Sequence, residues 1–197
     1  MNVETANLFF AFLSLAAAGL AVAIVVATGI ARARPEGGAA LFLGELRPVA
    51  LWMAFAIAAT ATLGSLYYSE VANYTPCQLC WYQRYAMYPL SVILGVAAVV
   101  RWASVKYIAI PVAVIGASIS IYHYQLELFP EQSSGVCAVD VPCTVRWFEV
   151  FGFISLAFMA LTGFLAIIAL LLIARPVTTD AVDDDVEADH DAENLTV

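Results

Sequence analysis

The chain has 197 residues, 63% hydrophobic and only 12% charged, with a mean hydropathy of +0.88. A water-soluble domain carries about 25% charged residues, so a soluble globular enzyme is excluded. The formal charge of −8 originates at one end of the chain, where eight of the 16 acidic residues fall between Asp180 and Glu193. The rest is balanced and has no basic patch to hold nucleic acid.

A helix needs about 20 apolar residues to cross a hydrocarbon layer about 30 Å thick. Leu8–Ile30, Val49–Tyr68, Leu79–Val100, Tyr107–Leu128 and Phe148–Ile173 all satisfy this, and their unbroken runs exclude the short alternating segments of a β-barrel. Pro89 and Pro111 fall inside the third and fourth spans, where neighbouring helices satisfy the freed backbone groups. The flank of the first span, Met1–Asn7, carries Glu4 and no base. A secretory signal needs a positive flank, so the first span is predicted to be a retained helix. The fold class is thus an all-α integral membrane protein.

Basic residues collect in cytoplasmic loops. Arg32, Arg34, Arg47, Arg101, Lys106 and Arg175 share one side of a five-helix path, against Arg84 and Arg146 on the other. This bias predicts an N-terminus outside and a C-terminus in the cytoplasm of a multi-pass protein of the cell membrane. Residues 176–197 have no aromatic residue and a block of like charge. Such a segment buries too little apolar area to offset its ordering entropy and reads as a disordered cytoplasmic tail. His190, alone within it, receives no role.

All four cysteines fall on the extracytoplasmic side: Cys77 and Cys80 between spans two and three, Cys137 and Cys143 between spans four and five. Disulfides persist in that compartment, and four cysteines admit three pairings. In T-P-C-Q-L-C-W-Y-Q-R, Pro76 signals a helix start. Cys77 is then predicted in the first turn, where unpaired N–H groups favour a thiolate, with Cys80 on the same face. Arg84, one turn further, favours an anion on Cys80 or on a ligand beside it; the bland alternative is a side chain that snorkels to the headgroups. An inert structural bond is the alternative for the CxxC pair. Trp81, Tyr82, Tyr85 and Tyr88 suit either an interfacial belt or one wall of an aromatic pocket.

The second pair, C-A-V-D-V-P-C, occupies a polar loop, Pro130–Pro142, with Gly135 and no helical periodicity. It suits disulfide exchange with another protein, or a structural staple. A zinc site built from the four thiols is a further reading of the CxxC spacing. His123, in S-I-Y-H-Y-Q-L-E-L-F-P, lies near the same membrane face. It is either a solvated ring or a contact to a polar ligand headgroup.

Cys77-x-x-Cys80 opening a helix, followed by Trp81-Tyr82-Gln83-Arg84, then His123 with Leu126 and Leu128-Phe129-Pro130, then two further cysteines, closely resembles the DsbB family of membrane disulfide-generating proteins, including its shorter BdbC-type members. The resemblance covers about Pro48–Arg175. It implies a four-helix transmembrane bundle over residues 48–175, with residues 1–47 contributing an additional N-terminal helix and a cytoplasmic loop. It implies a thiol:quinone oxidoreductase whose cofactor is a quinone of the ubiquinone or menaquinone type. Its expected partner is an extracytoplasmic, DsbA-like thioredoxin-fold protein. Carried over residue by residue, Cys77, Cys80, Cys137 and Cys143 are the catalytic set. Cys80, Arg84 and His123 take the quinone-contacting positions, Cys77 exchanges with the second loop, and Cys137 forms the mixed disulfide with the partner. No metal site is implied. The chain departs from the Gram-negative pattern in its short second-pair spacing, which lacks an amphipathic loop segment, and in the extra first helix. The competing class is a non-enzymatic membrane scaffold with structural disulfides or a thiolate metal site.

Overall fold

The computed structural model describes residues 2–132, 137 and 141–174. The acidic segment 176–197 with His190, together with Arg175 and Gly135, lies outside the described residues. Helix α1 spans Val3–Ala33, α2 Gly38–Leu46, α3 Ala50–Glu70, α4 Gln78–Val100, α5 Lys106–Leu128 and α6 Leu156–Ile173. All but α2 are long and apolar enough to cross a membrane, so the chain is an all-α, multi-pass membrane protein. In lipid the backbone must satisfy its own hydrogen bonds, which is why these runs close as helices through Pro89 and Pro111.

Helices α3 to α6 pack in a ring, each against its neighbours in the chain and α6 back against α3; α1 lies along α6, and α2 folds onto α1. Apolar lipid gives helices no hydrophobic reason to associate, so close van der Waals fit must hold them together. The fit here is phenyl ring against glycine. A Cβ on Gly116 of α5 would stand 2.3 Å from Phe164 of α6. One on Gly95 of α4 would stand 2.8 Å from Phe55 of α3, and one on Gly64 of α3 2.9 Å from Phe10 of α1. Alanines supply the remaining close approach, with Ala50, Ala54 and Ala58 fully buried at four-residue spacing on α3. Lipid-facing positions carry large apolar side chains instead, among them Val25 (65% exposed), Val99 (70%) and Leu172 (66%).

The last span differs from its sequence prediction. Its helix begins at Leu156 rather than Phe148, because the apolar residues before it make a reverse turn. Val150 and Ile154 pair across that turn, and Phe151 (φ 55°) and Gly152 (φ 77°) both take left-handed conformations that a right-handed helix cannot contain. Ser155 then caps α6, its Oγ accepting from the Phe158 N–H at 3.3 Å. The short α2 is a second difference. Its single fully buried residue, Leu43, gives too faint a periodicity to be read from sequence.

Candidate active site

The site forms where α4 begins. Cys77 is the N-cap of α4 rather than a first-turn residue: its backbone is extended, and its Sγ accepts from the Cys80 N–H at 3.2 Å. Sulfur takes the place of the oxygen that ordinarily satisfies this exposed donor. One turn on, Cys80 turns its Sγ back to within 2.7 Å of Cys77 Sγ. The second pair is closed as a Cys137–Cys143 disulfide, while Cys77 and Cys80 are free thiols. The one bond formed lies within the second loop, and the two free sulfurs face each other within the first.

His123 is 97% buried on α5, with Nε2 3.6 Å from Cys77 Sγ and Nδ1 3.3 Å from Gln83 Oε1. Gln83 uses its amide N–H to donate to Ser120 Oγ at 2.8 Å. Its carbonyl oxygen is therefore the group that meets the ring, so Nδ1 donates and Nε2 is aimed at the sulfur. The Cys77 thiol is held well below the ordinary thiol range, first by the hydrogen bond from Cys80 and then by His123, against the opposing effect of burial. Glu127, one turn beyond His123, shares a small cleft with Cys77 and His123.

Arg84 is not a snorkelling side chain. Its Nε donates to Ser65 Oγ at 2.9 Å and its terminal nitrogen to the Ser65 carbonyl at 3.1 Å. Its guanidinium carbon lies 5.2 Å from the centre of the Trp81 ring, a cation–π distance. Thus fixed, Arg84 lines a half-open cavity of about 420 Å³ together with Cys80, Tyr88, Ser65 and Thr75. Away from this polar end the walls are apolar, with Met53, Ile57, Ala61 and Met159 among them. Tyr88, whose hydroxyl donates to Ser65 Oγ at 3.2 Å, belongs to the cavity, whereas Tyr85 is 66% exposed. His123 is not among the cavity's lining residues; it stands against Cys77.

The two loops meet above the cavity. Tyr74 of the first stacks on Trp147 of the second at 5.0 Å between ring centres, and Tyr68 stacks on Phe148 at 5.3 Å. Arg146 secures the second loop by donating to the Glu127 carbonyl at 2.7 Å and pairing with Glu149. Cys143 is thereby buried in one cluster with Cys77, Leu79 and Leu126, while Cys137 is only partly buried. Gln83, Ser120, Ser65 and Glu127 received no role from sequence. The available signal was their polarity inside apolar spans, where such groups are costly unless partnered.

The ligand atoms of Cys77, Cys80 and His123 lie within 4.8 Å of one another, so a soft metal ion is chemically conceivable there. However, two thiolates at about 2.3 Å from one tetrahedral zinc stand roughly 3.8 Å apart, well beyond the 2.7 Å observed. The spacing suits sulfur–sulfur chemistry instead. A close dithiol at the rim of a helical bundle, with a disulfide in the adjoining loop, defines a membrane thiol–disulfide oxidoreductase.

Comparison with known proteins agrees. Residues 47–174 match the family described as disulfide bond formation protein DsbB, and the chain belongs to that family of membrane proteins of disulfide-bond formation. It is 44% identical over 131 residues to disulfide bond formation protein C of Bacillus subtilis (strain 168), covering 66% of this chain and 94% of the relative. It is likewise 44% identical over 128 residues to probable disulfide formation protein C 2 of Bacillus anthracis, covering 65% and 91%. A probable disulfide formation protein of Oceanobacillus iheyensis is 49% identical over 119 residues, covering 58% and 81%. No solved structure gives a significant match.

Proposed function

We propose that the chain is a quinone-dependent thiol oxidase that reoxidises an extracytoplasmic, DsbA-like thioredoxin-fold dithiol. The observation that carries this reading is the divided placement of the CxxC pair. Cys77 belongs to the buried cluster that contains Cys143, and Cys80, which packs against that cluster, is the one of the pair that also lines the cavity beside Arg84. One dithiol thus touches both a protein disulfide and a membrane cavity.

The cavity fits a quinone. Its volume lies within the roughly 300–1,000 Å³ of small-molecule sites, and its polar groups gather at one end of an apolar bore, as a polar ring with a lipid tail requires. Bound there, a quinone supplies a two-electron, two-proton acceptor. Cys80 and Cys77 give up their two electrons and two protons and close as a disulfide, with Arg84 providing positive charge beside Cys80.

At the other end, partly buried Cys137 is the sulfur open to a partner thiolate. Attack there breaks the Cys137–Cys143 bond and forms a mixed disulfide at Cys137. The partner's second thiol resolves it, leaving the partner oxidised and Cys137 and Cys143 reduced. Cys143 then attacks Cys77 of the oxidised CxxC pair, and Cys80 leaves as a thiolate. Attack by Cys137 on Cys143 restores the loop disulfide and releases Cys77, whose thiolate is stabilised by its hydrogen bonds. Thiolate stability matters at that step, because a thiol of lower pKa leaves faster.

The test is steady-state oxidation of a reduced thioredoxin-fold partner by the purified protein with added quinone, followed by quinone absorbance. Cys80→Ser is expected to abolish quinone reduction while leaving the Cys137–Cys143 disulfide able to react once with the partner. Full turnover in that variant would overturn the reading.

A further inference from the structure

Helix α1 falls outside the residues that match the family, 47–174, yet it supplies part of the cavity wall. Phe10, Leu13, Ser14, Ala17 and Leu20 all line the cavity. Their spacing of three and four residues puts them on one helical face. Seven or more residues of rise separate Phe10 from Ala17 and Leu20, so this face runs about 15 Å along the bore at 1.5 Å per residue. The other face of α1 carries Phe12, Val22 and Val25, each more than half exposed, as suits lipid contact.

The placement of α1 is specific. Phe10 fits over Gly64, where a Cβ would come within 2.9 Å of the ring. It also lies 5.6 Å from the Tyr68 ring. Gly64 and Tyr68 themselves line the cavity, so α1 is anchored at the end that holds Cys80 and Arg84. Below that anchor, Ser14 and Ala17 are small, and the bore passes beside them before reaching Leu20.

We propose that α1 is the tail-selecting wall of the quinone site: its Phe10–Leu20 face encloses the first isoprenoid units of the substrate, so that residues on this added helix set affinity for tailed quinones. This rests on the quinone reading above. The ring belongs beside Cys80 and Arg84, where the polar groups are. The apolar tail then has one continuation, along the bore between α1, α3 and α6.

The test compares a quinone bearing an isoprenoid tail with its tail-less counterpart of identical ring, using the full chain in lipid nanodiscs. Ala17→Phe should raise the KM for the tailed quinone at least tenfold and leave that for the tail-less quinone within twofold. Single-turnover exchange between Cys137–Cys143 and a partner dithiol should be unchanged, which also reports correct folding. Leu20→Ala, which removes rather than adds volume, should change the tailed KM severalfold and serves if Ala17→Phe does not fold. Val25→Phe, on the lipid-facing side, should match the unsubstituted protein. If neither cavity-face variant moves the tailed KM, or if both quinones shift together, the role given to α1 is wrong. If the unsubstituted protein reduces neither quinone, it is the quinone reading itself that fails.

Discussion

Cys77 caps a helix, and the contacts around its sulfur also favour the thiolate. Its Sγ accepts from the Cys80 backbone, meets the Cys80 thiol and faces His123 Nε2. Each of these favours the anion, and the thiol is held low as a result. A group whose pKa is depressed keeps its charge as pH falls, so alkylation of Cys77 in the reduced protein should remain fast well below the usual thiol pKa of about 8.5. Cys80→Ala removes the largest contribution and should move the midpoint of the alkylation profile upward. His123→Ala should move it upward by less, and Gln83→Leu, which frees the ring to turn, by less again. Mass spectrometry of iodoacetamide adducts against pH gives all four midpoints, and unchanged profiles would remove the basis for an activated Cys77. Cys77, Cys80, Arg84 and His123 were legible in the sequence because sulfur spacing and polar residues near span ends are local signals. The orientation of His123 toward Cys77 was not legible, since it depends on Gln83 and Ser120, which meet only when α4 packs on α5.

At the scale of elements, the helices are joined by rings set into glycines. Gly116 shows how tight this is, since a methyl there would overlap the ring of fully buried Phe164. Overpacking of this kind costs about 1–3 kcal/mol. Gly116→Ala should therefore lower the unfolding midpoint in detergent, whereas Gly19→Ala, with open space around it, should not; equal midpoints would refute the close fit. Apolar length alone predicts the spans, and three of the five begin and end within two residues of the structure. The first runs from Val3 to Ala33, longer than Leu8–Ile30, because Asn2 caps it beyond the apolar run. The fifth was overextended because Phe148, Val150, Phe151 and Phe153 read as span. Hydropathy does not distinguish a helix from an apolar turn that packs against aromatic rings.

For the whole molecule, the distribution of Arg and Lys predicts that both cysteine pairs face outward. After mild reduction of intact cells, a membrane-impermeant maleimide should label Cys137, and an Arg34→Cys variant lacking the native cysteines should be labelled only after permeabilisation. The opposite pattern would invert the topology and with it the partner's compartment. The four-helix bundle followed from the family resemblance. The cavity did not, because it is made by what α1, α3, α4 and α6 leave unfilled between them, and a sequence records only what is present.

The rings that roof this cavity come from both cysteine-bearing loops, with Tyr74 lying flat on Trp147 at an interplanar angle of 9°. That stack gives the protein an optical gauge of its own. An indole in face-to-face contact with a phenol changes its emission when the two part, so the difference in fluorescence between the native chain and a Trp147→Phe variant tracks the separation of the loops. Following that signal while a partner dithiol reduces the Cys137–Cys143 bond would report whether the two loops part.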